Sequence, residues 1–213
     1  SMDDRQEESM TEKRKFLTVI VGPTCSGKTT LQKALFLRGF VKVITTTTRE
    51  PRPGECQGVD YNFVTREEFK TLITNGDLYE HEEFQGNYYG VSKLAVEQAF
   101  EKSPFCTVIV EPKGLDSILF AAPLDINVKI IMIHASLPTL IKRLRQRGAS
   151  DDEIAKREAG LRDEMSQMSY TPGYGKRVIS PTTMKQVETF ADHYDPRNGH
   201  VEDPIQVGHL ARP

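Results

Sequence analysis

The 213-residue chain has little that would tie it to a disulfide framework, a metal, a nucleic acid or a membrane. It holds three cysteines, Cys25, Cys56 and Cys106, an odd number without metal-ligand spacing. Free thiols in a reducing compartment are therefore expected. Its five histidines, His81, His134, His193, His200 and His209, are scattered and form no metal pattern. The formal net charge is −2, so neither a nucleic-acid surface nor a membrane-binding patch is expected. The apolar stretch from Val128 to Ile133, interrupted by Lys129, is far too short to span a bilayer. Residues 1–15 are charged and lack the apolar segment of a secretory signal. Internal repeats and low-complexity segments are missing as well. These shortages point to a cytoplasmic protein, and the length suffices for one sizeable core.

What the chain does have is Gly22-Pro23-Thr24-Cys25-Ser26-Gly27-Lys28-Thr29. It has the form G-x-x-x-x-G-K-[ST], a loop that cradles phosphate. The β-branched run Phe16 to Val21 precedes it as a buried strand, and a helical pattern from Leu31 follows it. Gly22 and Gly27 permit the tight turn that aims backbone N–H groups at phosphate oxygens. The helix contributes its positive N-terminal end. Lys28 is placed to reach the β- and γ-phosphates, and the Thr29 hydroxyl can ligate Mg²⁺. Residues 22–30, through Thr30, are thus the candidate ATP site. Chance produces the pattern in roughly 1% of chains of this length, and the flanking strand and helix lower that further.

Along the rest of the chain, strands alternate with helices. Residues 41–44, 105–110, 129–134 and 178–180 read as strands. Helices are expected to reach about Arg38 and to cover 65–74, 92–102, 115–120, 136–147, 150–168 and 183–194. Thr65-Arg66-Glu67-Glu68 and Ser150-Asp151-Asp152-Glu153 have capping form. The pattern predicts an α/β fold with a parallel sheet flanked by helices and the phosphate loop at a strand's carboxyl end. Short strands cluster in 45–92, at 61–64, 78–84 and 87–90, and predict an inserted β-rich lobe. Residues 16–195 form the domain, between tails at 1–15 and 196–213.

The lobe carries a second motif, Thr47-Thr48-Arg49-Glu50-Pro51-Arg52-Pro53-Gly54 running on through Asp60-Tyr61-Asn62-Phe63-Val64, with Gly86-Asn87-Tyr88-Tyr89-Gly90 downstream. Arg49 and Arg52 offer rigid forks that can grip a phosphate dianion as a pair, and the prolines stiffen their segment. Over about residues 16–194 the chain resembles the guanylate kinase family. The resemblance implies Mg²⁺-dependent phosphoryl transfer from ATP to GMP (or dGMP), giving ADP and GDP. It assigns the GMP phosphate to Arg49, Arg52, Tyr61 and Tyr89, and the base edge to Thr45 and Glu80. A carboxylate at Glu80 accepts from both N1–H and the 2-amino group of guanine, a donor pair that adenine lacks. Glu111 matches a family acid facing the nucleotide. Arg143, Arg147 and Arg157 match arginines that close over ATP, with 144–160 as a moving helical lid. Lys28, Arg49 and these three arginines are the candidate catalytic residues.

Two positions depart from the family's habit. Ile109 stands where an acid usually helps hold Mg²⁺ through water, and Glu111, two residues on along a strand, shares its face and can take part of that role. Val91 stands where Ser or Thr usually follows Tyr-Gly. Two alternatives stay open at this level: a kinase for another or modified nucleoside monophosphate, and a catalytically silent interaction module of the same fold. The phosphate loop, with Gly22, Gly27, Lys28 and Thr29 all present, argues against the second. Nucleotides are the expected partners of a monomer or homo-oligomer.

Overall fold

The structure, a computed structural model, describes residues 14–169 and 176–198. In chain order its elements are β1 (Lys15–Val21), α1 (Lys28–Phe36), β2 (Val41–Lys42), β3 (Thr46–Thr47), β4 (Asn62–Phe63), α2 (Arg66–Thr74), β5 (Leu78–Phe84) and β6 (Asn87–Ser92). They continue as α3 (Lys93–Lys102), β7 (Phe105–Ile109), a 3-10 turn (Pro112–Gly114), α4 (Leu115–Ala121), β8 (Ile126–Ile133), α5 (Leu137–Gln146), α6 (Asp151–Ser169), β9 (Lys176–Ile179) and α7 (Met184–His193).

β1 is the centre of a five-stranded sheet ordered β2-β7-β1-β8-β9, and every pairing in it is parallel. A central parallel strand is covered on both faces, which is why Phe16 to Val21 carries no polar alternation except Thr18. Leu17, Val19 and Val21 pack on one face with Val108, Met132, Val96 of α3 and Ile118 of α4. Ile20 turns to the other face, against Leu31 and Leu35 of α1 and Val187 and Phe190 of α7. Thr18 is fully buried, and its hydroxyl is satisfied by the Tyr194 hydroxyl at 2.8 Å. A third apolar cluster joins Leu140 and Leu144 of α5 to Ile154 and Leu161 of α6 and includes Cys25 of the phosphate loop. The expected α/β architecture is therefore present.

The second sheet has four strands in the order β4-β3-β6-β5 and mixes parallel with antiparallel pairing. It occupies the segment where short strands were expected. Its β5–β6 hairpin turns at Gln85 and Gly86, whose φ values of 50° and 79° suit the primed two-residue turn of a twisted hairpin. Phe69 of α2 is fully buried against this sheet and stacks on Tyr88 at 5.4 Å.

Several boundaries moved. β3 lies inside the threonine run 45–48, where no strand was expected. β8 starts at Ile126 rather than Lys129, and β2 is only two residues long. The Thr65 and Ser150 caps are formed, each hydroxyl accepting from the N–H three residues on, at 3.1 and 3.2 Å. The expected N-terminal tail gives way to β1 at Lys15, and residues 1–13 and 199–213 lie outside the described residues. No described helix is long and apolar enough to cross a membrane.

Candidate active site

The phosphate loop joins β1 to α1. A Cβ at residue 22 would stand 2.5 Å from Ser26 Oγ and 2.9 Å from the Ile133 carbonyl, so only glycine fits the approach. Cys25 and Gly27 both have left-handed backbones, with φ of 66° and 104°. Gly27 adopts this freely, whereas Cys25 is strained and must be held. Two side chains grip the loop on either side of that strain. Arg143 of α5 donates from Nη1 to the Cys25 carbonyl at 2.9 Å and from Nη2 to the Pro181 carbonyl at 3.4 Å. Glu164 of α6 accepts from the Thr24 N–H at 2.8 Å and from the Thr24 hydroxyl at 3.3 and 3.5 Å.

Lys28 opens α1, and its ammonium donates to the carbonyls of Gly22 and Pro23 at 2.5 and 3.2 Å. Burial pushes its pKa below the usual lysine range, the charges of Glu111 and Glu164 oppose the drop, and nearby Arg147 adds to it. The Oγ of Ser26 is buried without a hydrogen-bond partner among the described residues.

Between this loop and the second sheet lies a cleft of about 340 Å³. Lys28, Thr29, Thr45, Arg49, Arg52, Tyr61, Glu80, Tyr89 and Glu111 all line it. Nine residues named from the sequence, spread over more than 80 positions, thus meet around one cavity. Pro23 lines a neighbouring pocket with His134 and Arg162, Thr24 is held by Glu164, Cys25 packs into the third apolar cluster, and Thr30 lies in α1. Arg157 lines a separate opening between the β5–β6 turn and α6, together with Phe84 and Gln85. Arg147 caps the C-terminus of α5. None of the three arginines named for ATP lines the cleft itself.

The cation side of the cleft is built by packing. The Arg49 fork meets Glu55 in two parallel bonds of 2.8 and 3.0 Å, and its plane lies 5.3 Å from the Tyr61 ring centroid. Glu55 also accepts from the Arg52 N–H at 2.7 Å, which ties the two arginine segments together. The bond to Arg49 holds the Glu55 carboxyl down at about 2 and raises Arg49.

The opposite side is acidic. Glu80 is 5% exposed, and burial, together with the charges of Glu82 and Glu111, pushes its carboxyl up to about 8. Glu82 is raised to about 7, foremost by burial and then by Glu111. Glu111 is raised by burial, with Lys28 opposing. One carboxylate oxygen each of Glu82 and Glu111 is buried without a hydrogen-bond partner among the described residues. Val91, buried in the floor of the cleft, sits directly across from Glu80 in the β5–β6 pairing.

Sequence reasoning missed Glu55, Glu82 and Glu164. Strand periodicity could have found Glu82, which follows Glu80 by two and shares its face. Glu164 lies 140 residues from its partner Thr24, and no local pattern announces it.

This arrangement can hold a polyphosphate on a loop of N–H groups, a phosphate dianion on an arginine pair, and a donor-rich base edge on a carboxylate. Comparison with known proteins shows what the chain as a whole resembles. The family model for guanylate kinase matches residues 14–180. The guanylate kinase of Sus scrofa is 40% identical over 168 residues, covering 76% of this chain and 82% of its own length. That of Homo sapiens is 38% identical over 176 residues, covering 79% and 86%. The crystal structure of guanylate kinase from Anaplasma phagocytophilum superposes with a TM-score of 0.62 at 27% identity, covering 85% of this chain and 84% of that one.

Proposed function

The chain belongs to the guanylate kinase family, and from that premise we infer an ATP:GMP phosphotransferase that makes ADP and GDP in the cleft between the phosphate loop and the second sheet. The observation that carries the reading is the meeting of both nucleotide motifs around one cavity. ATP lies with its triphosphate on the N–H groups of residues 22–30, and Lys28 faces the β- and γ-phosphates. The phosphate of GMP lies on Arg49 and Arg52, with the Tyr61 and Tyr89 hydroxyls as further donors. Glu80 accepts from the guanine edge, and Thr45 lines the same cleft from the far side of β6.

A phosphate oxygen of GMP attacks the γ-phosphorus, and the bond from that phosphorus to the bridging oxygen of ADP breaks. The attacking oxygen is already an anion, so no general base is required. Positioning and charge neutralisation carry the rate. Lys28 and Arg49 supply the positive field in the cleft, and Arg147 and Arg157 join it when the helical lid closes. Arg143 acts through the Cys25 carbonyl, by holding the loop. Residues 144–160 and the lobe at 45–92 close on each other to exclude water.

Thr29 and Glu111 are the residues that would hold Mg²⁺. They line the same cleft, and the buried oxygen of Glu111, without a partner among the described residues, suits a cation or its water. When bound, the ion would supply charge neutralisation for the transferring phosphoryl group. The free thiols of Cys25, Cys56 and Cys106 suit a cytoplasmic setting.

Transfer of label from γ-labelled ATP to GMP tests this reading. Labelled GDP should form, and a chelator of divalent cations should stop it. Release of labelled inorganic phosphate without GDP would refute it.

A further inference from the structure

Gly114 closes the 3-10 turn that follows Glu111, with φ −79° and ψ −15°. Those are right-handed helical values open to any residue, so the backbone does not explain the glycine. Space does. A Cβ at this position would stand 2.2 Å from Glu80 Oε1, 2.7 Å from its Cδ and 2.9 Å from its Cγ. The Glu80 carboxyl group lies in the notch that the missing side chain leaves.

The floor of that notch is firm. The Gly114 N–H donates to the Glu111 carbonyl at 2.9 Å. Leu115 and Ile118, which follow, are each 1% exposed and anchor α4 in the main core. On its other side Glu80 is carried by β5, where Val91 of β6 opposes it. The carboxyl group is therefore seated between a fixed turn and a fixed hairpin.

We propose that Gly114 is a specificity-determining position: its missing side chain sets where the Glu80 carboxyl stands, and so how the protein reads the base of the nucleoside monophosphate. Gly114 is a positioning residue, acting through Glu80, and the proposal rests on the reading of Glu80 as the acceptor for the guanine edge. Accepting from two adjacent N–H donors demands placement within roughly 0.5 Å and 10–20°. A methyl group in the notch must displace the carboxyl by about 1 Å to reach ordinary contact. The atoms that yield are the end of a flexible side chain, while the turn itself tolerates alanine. Gly114→Ala therefore separates recognition from folding.

The test compares the full-length parent with Gly114→Ala and Glu80→Ala. Steady-state kinetics are measured with GMP, with IMP (which lacks the 2-amino group) and with ATP as the varied substrate, and melting temperature is measured on each protein. Gly114→Ala should melt at or above the parent and keep its KM for ATP within about twofold. Its KM for GMP should rise on the order of tenfold, and its preference for GMP over IMP should fall by a similar factor. Glu80→Ala should lose the same preference. If Glu80→Ala loses it and Gly114→Ala does not, the seat is wrong and the reader stands. If Glu80→Ala keeps the preference, the reader reading falls and the proposal with it. A Gly114→Ala protein that melts well below the parent, with both KM values raised together, shows that the position serves packing alone and overturns the proposal.

Discussion

Binding of GMP should expel a proton from Glu80, and the affinity should rise with pH for that reason. Burial and the neighbouring acids hold the free carboxyl at about 8. Only the ionised form accepts from both N1–H and the 2-amino group of guanine. With a pKa near 8, about 3% of the carboxyl groups are charged at pH 6.5 and about three quarters at pH 8.5. The affinity for GMP should therefore increase by about 25-fold between those values. The phosphate of GMP adds little, because its second ionisation, near pH 6, is largely complete at the start of the range. Glu82 and Glu111 face the same cleft and titrate together with Glu80, so the observed midpoint belongs to the group. The stability of the free protein should slope the other way. The native state holds a proton on Glu80 that the unfolded chain, with its ordinary value of 4.5, has lost. Stability from this group is thus present below about pH 4.5 and is lost as pH rises through about 8. Calorimetric titration of GMP in two buffers of different ionisation enthalpy reads the proton directly, and close to one should be released per GMP near pH 6.5. Glu80→Gln should abolish both the release and the pH step. A GMP affinity that is flat from pH 6.5 to 8.5, or a step that persists in Glu80→Gln, would refute the reasoning.

Lys28→Ala should remove most turnover while leaving GMP binding nearly intact, whereas Arg49→Ala should weaken both; equal loss of GMP affinity in the two, by calorimetry, would contradict the two-site arrangement. Glu164→Ala removes the acceptor at Thr24, so the KM for ATP should rise about tenfold with the KM for GMP unchanged, and Glu164→Gln, which keeps one acceptor oxygen, should recover most of the loss. An unaltered KM for ATP in Glu164→Ala would show that the loop holds its shape without this contact. Val91→Thr restores a hydroxyl across from Glu80 and should lower the KM for GMP by roughly two- to twelvefold, the value of one neutral hydrogen bond; unchanged or worse GMP kinetics would make the valine a packing choice only.

The parts of the fold that were legible in the sequence are those written locally. The phosphate loop is eight contiguous residues between a strand and a helix, and the Thr65 and Ser150 caps are four-residue patterns. The β5–β6 hairpin is marked by its turn and its short strands. β3 was not legible, because a run of four threonines shows no contrast between buried and exposed positions, and its two residues pair only once β4 and β6 flank them. The arginine pair was legible as chemistry, but its bracing by Glu55 was not, since a fork meeting a carboxylate depends on how the intervening turn folds. The grip on the phosphate loop was hidden for a stronger reason. Thr24 meets Glu164 and Cys25 meets Arg143 only after α5 and α6 have docked on the sheet. Gly114 gave no sign at all, because the side chain it must avoid is brought there by a different part of the chain.

The most direct test of the account is the rate of ADP release, in Mg²⁺ and ATP, across GMP, dGMP, IMP, AMP, CMP and UMP. kcat/KM should be highest for GMP, with a strong preference over AMP, since adenine leaves the buried Glu80 carboxyl without its donor pair. No ADP above background with any of the six would contradict it and leave a binding module in place of an enzyme.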